Sequence, residues 1–371
     1  MFETPKRTLL PHNIRDLSPY VAGKTIAEVK ETYKLSRISK LASNENRLGC
    51  SPSIKQAVLD VLDDVPDYPD PVSCKLRSAL AERYGIETEN IVIAAGLESI
   101  IANLCRTFFL NTDEAITADA TFVGFFVQAN IRGITLRKIP LQSNYRFDLD
   151  AIADSITGRT KMIYIANPNN PTGTYVTKTE FEAFMKKVPD DVIVVMDEAY
   201  FEYARQADDY PDTMDYRFDN VLTLRTFSKA YGLAGVRVGY CMGSRELIGP
   251  MMKTKLTFEP ASLAQAAALA ALQDEKFLNE SIRIVEQGRK RLSRFFDEHG
   301  ISYVPSIANF VMMILSTPQE AIDFTQAMLE QGVILRRVNA FGLPNCIRIT
   351  IGTEQEMKHF EESFELHLLK E

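Results

Sequence analysis

The sequence predicts an α/β fold, with a large domain on a mainly parallel central sheet covered by helices and a small α+β domain. Three observations predict it. Short apolar runs rich in Val and Ile alternate with helical patterns from residue 73 to 242, as strands buried on both faces require. After Met242 the texture changes to long helical patterns with a few separated strands. A chain of 371 residues with 46% hydrophobic composition can bury a large core, and its length alone corresponds to roughly two domains.

Taken in order, the first forty-odd residues are polar and broken by Pro11, Pro19 and Gly23, with one short helix over Ile26 to Tyr33. A turn-rich segment, Leu41 to Gly49, precedes a helix from Ser53 to about Asp63, capped by Ser51 or Ser53. Prolines then hold Val65 to Pro71 as a rigid loop that presents Tyr68. Ser73 to Tyr84 reads as a helix stopped by Gly85. Strand Ile91 to Ala94 follows, then a turn over Ala95 to Ser99 and the helix Ile100 to Phe109. Further strands are predicted at Ala115 to Ala118, Thr135 to Ile139, Met162 to Ala166, Val192 to Met196, Val221 to Thr226 and Val236 to Met242. Beyond these lie helices over Ala261 to Leu272, Phe277 to His299 and Pro318 to Gln331, strands Phe310 to Leu315, Val333 to Leu335 and Cys346 to Ile351, and a terminal helix from Thr353. The expected division is a large domain over 46–260 and a small domain made of 1–45 and 261–371.

Composition narrows the function. The net charge of -7 with balanced signs is unlike a nucleic-acid-binding polycation, so the expected partner is a small molecule. Five widely spaced cysteines without a C-x-x-C pair, and four scattered histidines, indicate neither a disulfide framework nor a metal site. No run has the length and apolarity of a signal peptide core or a membrane span, so a soluble, cytoplasmic setting is expected.

Ligands of such sheets bind beyond the carboxyl ends of the strands. Three strands here run into polar motifs: Asn167-Pro168-Asn169-Asn170-Pro171-Thr172-Gly173, then Asp197-Glu198-Ala199-Tyr200, then Ser228-Lys229 with Arg237 eight residues on. Singly they could be a tight turn, a helix cap and a solvated lysine. The three asparagines would also aim amides into a cleft, and a buried Asp197 would need a partner. Together they match the needs of pyridoxal 5'-phosphate. Its aldehyde requires a lysine, its ring nitrogen a carboxylate, its phenolic oxygen donors, and its phosphate hydroxyls, an arginine and free amides at a helix start.

Over nearly its whole length the chain resembles the fold-type-I pyridoxal-phosphate aminotransferases, and within them the histidinol-phosphate aminotransferase family. The motifs stand in the family's order: Leu17-Ser18-Pro19-Tyr20, Asn44-Glu45-Asn46, Tyr68-Pro69-Asp70, the Gly96 turn, Asn167 to Gly173, Asp197 to Tyr200, Thr226 to Lys229 with Arg237, Arg336, and Ile347-Arg348-Ile349-Thr350. The resemblance implies that Lys229 bonds the cofactor aldehyde and later shuttles the proton, that Asp197 pairs with the ring nitrogen, and that Asn170 and Tyr200 bond the phenolic oxygen. Phe122 would stack on the ring. Thr226, Ser228, Arg237 and the amides after Gly96, those of Leu97 and Glu98, would hold the phosphate, with Tyr68 reaching in from the neighbouring subunit of a homodimer. Arg348 would clamp the carboxylate of the amino donor or acceptor, glutamate and 2-oxoglutarate being the usual pair. Tyr20, Asn44 and Arg336 would face the substrate's distal end, where histidinol phosphate carries its phosphate; Arg337 lies one place away. Aromatic amino acid aminotransferases and a decarboxylase acting on threonine phosphate share the same motifs. Arg47, Leu97, Ser99 and Ala120 depart from the family pattern, which usually has a proline at 47, a small residue at 97, an acidic residue near 99 and a proline at 120.

Overall fold

The computed structural model describes residues 9–15, 17 and 23–369. After a short strand β1 (Ser39–Lys40) the chain lays down β2 (Ile91–Ala94), β3 (Glu114–Ala118), β4 (Thr135–Ile139), β5 (Thr160–Ala166), β6 (Ile193–Asp197), β7 (Val221–Thr226) and β8 (Gly239–Met242). These last seven form one sheet in the order β2-β8-β7-β6-β5-β3-β4. All neighbours are parallel except β8, which runs antiparallel to both β2 and β7. Its strands are buried apart from β4 at the edge and the half-buried Lys161 of β5. Two apolar cores, one on each face, explain why these strands read as continuous apolar runs.

Local chemistry sets the element ends. Ser51 caps the helix Pro52–Leu59, which is shorter than predicted and is followed by a separate turn of 3-10 helix at Leu62–Asp64. Gly85, in the left-handed region, ends the helix Cys74–Tyr84. Two expectations change. Leu97 to Ser99 are not a turn but the first turn of the helix Leu97–Phe108, and Val236 to Val238 precede β8 instead of belonging to it. A helix at Val123–Arg132, without a counterpart in the sequence reading, starts directly after Phe122.

The second unit is a four-stranded antiparallel sheet of β9 (Tyr303–Val304), β10 (Phe310–Ile314), β12 (Arg336–Arg337) and β13 (Cys346–Thr350), in the order β12-β13-β10-β9. Strand β11 (Val333–Ile334) pairs in parallel with β1, so the N-terminal segment is stitched to this unit. The helix Glu275–Glu298 spans about 36 Å. Its first half puts Leu278, Ile282 and Val285 into the core beside the large sheet, and its second half puts Leu292, Phe295 and Phe296 into the small unit's core. The preceding helix, Ser262–Gln273, packs on Pro52–Leu59 and Cys74–Tyr84.

Candidate active site

Parallel strands β5, β6 and β7 lie side by side, with Ala166 opposite Asp197 and Asp197 opposite Leu224. Their carboxyl ends therefore set the Asn167 turn, Asp197 and Ser228-Lys229 next to one another. The turn spends most of its amides on neighbouring segments of the chain. Asn167 accepts from the Val176 amide at 2.8 Å, and Asn169 donates to the Ala120 carbonyl and accepts from Thr121. Only Asn170 of the three asparagines lines the pocket, which corrects the expectation that all three would aim into a cleft.

Asp197 is buried, and burial pushes its carboxyl up to about 6. Its Oδ1 accepts from the Ala199 amide at 3.1 Å, and its Oδ2 accepts from the Tyr164 hydroxyl. The next residue is built differently. Glu198 accepts from Arg225 through Nη2 at 2.7 Å and Nε at 2.9 Å and from the Thr213 hydroxyl at 2.6 Å. Arg225, fully buried in β7, also donates to Asp212 and stacks 3.3 Å from the Phe201 ring centre. So one carboxylate is neutralised inside the fold, and its neighbour receives only neutral donors.

Lys229 lies partly buried at the pocket, 5.7 Å from the Tyr200 ring centre. Desolvation, then repulsion from Arg348 and Arg237, holds its amine down to about 8, so roughly a tenth of it is neutral near pH 7. Tyr200 is pushed up to about 12 by burial and keeps its proton. Its oxygen accepts from Asn44 Nδ2 at 2.8 Å, which leaves the hydroxyl hydrogen available to a ligand.

The far end of the pocket is an anion cradle. Gly96, at φ +87°, starts the helix Leu97–Phe108 without a side-chain cap, and a Cβ there would collide with the Arg237 guanidinium. Glycine thus lets Arg237 approach the helix start, where free amides and the helix dipole favour an anion. Arg237 Nη1 lies 3.3 Å from Ser228 Oγ, and Thr226, Ser228, Leu97 and Glu98 line the same space. Phe122 lines the pocket wall, in room that Gly124 leaves open.

On the other side stand residues of the small unit. Arg348, buried in β13, donates from Nη1 to Asn170 Oδ1 and from Nη2 to the Ala42 carbonyl at 2.8 Å. Arg336 sits directly opposite it in the β12-β13 ladder. Asn44, at φ 55°, is held by Thr350 and Asn309 with its amide on Tyr200, beside the cofactor-facing residues instead of with Arg336. Tyr20 falls outside the described residues. Tyr68 does not line this pocket: it is 79% exposed, stacked on Phe258 at 4.2 Å.

The departures from the family pattern find partners. Arg47 pairs with Glu356 of the terminal helix at 2.7 Å, so its charge is neutralised away from the pocket. Ser99 donates to Glu259 at 2.7 Å, which brings an acidic group to the same helical turn from elsewhere in the chain. Sequence reasoning missed Tyr164, Arg225 and Glu259; a tyrosine and an arginine inside apolar strands were the available signals. Among the described residues no cluster of three or more His, Cys, Asp or Glu could hold a metal ion, and no helix is long and apolar enough to cross a membrane.

An amine of lowered basicity, a buried carboxylate served by neutral donors, and a guanidinium at an uncapped helix start fit the aldehyde, ring nitrogen and phosphate of pyridoxal 5'-phosphate. A model of the aminotransferase class I and II family matches residues 36–364. The histidinol-phosphate aminotransferase of a Geobacillus species is 42% identical over 92% of this chain and 93% of its own length. That of Bacillus velezensis is 40% identical over 94% and 96%. The crystal structure of histidinol-phosphate aminotransferase from Sinorhizobium meliloti, in complex with pyridoxal 5'-phosphate, superposes with a TM-score of 0.87 at 26% identity, covering 96% of this chain and 97% of that one. Sequence, fold and pocket chemistry converge: the chain belongs to the class I and II aminotransferases, pyridoxal-phosphate enzymes, and within them to the histidinol-phosphate aminotransferase family.

Proposed function

We propose that this chain transfers the amino group of histidinol phosphate to 2-oxoglutarate, giving imidazole acetol phosphate and glutamate, in histidine biosynthesis. The observation that carries the reading is the pairing of Arg336 with Arg348 across β12-β13, next to Asn170. Directly opposed residues of an antiparallel pair share one face, with Cβ atoms roughly 5 Å apart. Two guanidiniums on one wall suit a site that receives, in turn, a phosphate-bearing amine and a dicarboxylate.

When bound, pyridoxal phosphate supplies an electron sink for the charge that develops at the substrate α-carbon. Lys229 Nζ, kept partly neutral, would take the proton from that carbon and hold it for return. Asp197 would hold the proton on the ring nitrogen. Asn170 Nδ2 and the Tyr200 hydroxyl would donate to the phenolic oxygen, and Phe122 would line the ring's side of the pocket. Thr226, Ser228, Arg237 and the amides of Leu97 and Glu98 would hold the phosphate. Arg348 would clamp the substrate carboxylate, exchanging its bond to Asn170 for a bidentate one, and Arg336 would take the distal anion.

The working unit is a cytoplasmic homodimer in which Tyr68 completes the partner's phosphate site. Support comes from the exposed apolar side chains of Leu59, Leu62 and Val65, which precede Tyr68 in the chain, and of Phe258, which stacks on it. Within one protomer the expected division is 46–260 and 1–45 with 261–371; the packing of Ser262–Gln273 on the large unit and of the helix Glu275–Glu298 into both cores supports a seam inside that longer helix instead of at residue 260. Single-turnover absorbance changes with histidinol phosphate, glutamate and phenylalanine test the substrate. Histidinol phosphate and glutamate should convert the cofactor; a phenylalanine reaction as fast as theirs, or carbon dioxide release from threonine phosphate, would overturn the reading.

A further inference from the structure

We propose that Tyr164 is a positioning residue of the cofactor site, its hydroxyl fixing the Asp197 carboxylate as an anion turned toward the ring nitrogen of the cofactor; this rests on the placement of Asp197 at that nitrogen proposed above. Tyr164 lies on β5, two residues before Ala166, so the two share the face that lines the pocket, and Ala166 is the register partner of Asp197. The phenol is fully buried and donates to Asp197 Oδ2. Its ring is pinned by parallel stacking on Phe125, with centres 4.3 Å apart and planes at 5°. Its carbonyl accepts from the Thr117 hydroxyl at 2.7 Å, which fixes the strand at that point. The phenol therefore has one orientation and one acceptor.

The chemistry favours one direction of donation. Burial and the charge of Asp197 hold the Tyr164 phenol far above its ordinary value, so it stays an O–H donor. Apart from it, Asp197 receives the Ala199 amide at 3.1 Å, while Lys229 and Tyr200 are the titratable groups that face this pair. A buried carboxylate with a single backbone bond tends to take a proton of its own. A protonated Asp197 could no longer hold the proton of a ring nitrogen. The Tyr164 hydroxyl offsets that tendency by stabilising the charged form alone.

Tyr164→Phe keeps the stack on Phe125 and removes only the O–H. The test titrates the apo protein with pyridoxal phosphate and with its 1-deaza analogue, which has carbon where the ring nitrogen stands, and reads the two dissociation constants. We expect Tyr164→Phe to weaken pyridoxal phosphate roughly tenfold and to leave the analogue's affinity unchanged. Equal weakening of both ligands, or of neither, would overturn the proposal, because a merely structural tyrosine cannot distinguish a nitrogen from a carbon. Asp197→Asn, run in parallel, separates the two readings. If it shows the selective loss and Tyr164→Phe does not, Tyr164 alone is misassigned; if it shows none, the placement of Asp197 fails and the proposal falls with it.

Discussion

The floor of the cleft comes from one sheet, whereas its wall is assembled from segments about 300 residues apart. Asn170, Asp197 and Lys229 follow three neighbouring parallel strands, so strand register alone brings them together. Arg336 and Arg348 meet through β-pairing in the small unit, and Asn44 and Ala42 of the N-terminal segment are tied to the same unit by the bonds of Thr350 to Asn44 and of Arg348 to the Ala42 carbonyl. At the cleft the two regions touch through Arg348 on Asn170, Asn44 on Tyr200 and Phe310 against the Tyr200 ring. A reaction common to every substrate is thus carried by the rigid sheet, and choice among substrates by the unit beside it. Variants of the floor should slow turnover for all amines; variants of the wall should change which amine is preferred.

The largest effect is expected at the centre of the floor. Lys229→Ala should retain cofactor yet lose turnover by roughly 10⁴-fold or more with every amine, since a positioned proton carrier and nucleophile are both removed. Steady-state rates with histidinol phosphate and glutamate check it, and a residual rate within about tenfold of wild type would break the floor's assignment. Asp197→Asn should follow, with kcat lower by roughly 10²- to 10³-fold in both half-reactions, because a preorganised charge at the ring is lost while the shape is kept. An effect confined to one half-reaction would move Asp197 from the floor to the wall.

Legibility in the sequence divides along the same line. Strands β2, β4 and β7 were readable to the residue, because short apolar or alternating runs beside turn formers such as Asn90, Gly133, Pro140 and Asn220 have few other uses. The Gly85 cap was equally plain, whereas Ser51 was one of two serines that could have capped its helix. The floor motifs stood out as polar residues directly after such runs. Tyr164 did not, because a tyrosine inside an apolar strand reads as core. Arg225 was hidden in the same way, although a charge in a buried strand implies a partner, here Glu198. The helix Val123–Arg132 was obscured by Phe125 and Phe126 beside Val123, an apolar cluster with no clear period. Pairings such as Arg47 with Glu356 leave no local trace, since the partner is 309 residues away.

Wall variants are expected to be milder and selective. Arg348→Gln should raise KM for 2-oxoglutarate about a hundredfold with a smaller change in kcat, the loss expected when a buried bidentate partner of a carboxylate is truncated. A comparable fall with amines that lack a carboxylate would argue that Arg348 serves the floor through Asn170 and not the substrate.

The smallest effect is the most telling for the wall. Arg336 and Arg337 are consecutive in β12, so their side chains leave opposite faces, and only Arg336 shares a face with its register partner Arg348. Arg336→Gln should therefore lower kcat/KM for histidinol phosphate about tenfold while leaving that for histidinol, which has no phosphate, nearly unchanged. Arg337→Gln should leave the ratio of the two untouched. A ratio that falls for Arg337→Gln and not for Arg336→Gln would show that the distal anion lies on the other face of the sheet. The wall would then have to be rebuilt around Arg337, while the reading of the floor would stand, because none of its residues takes its position from β12.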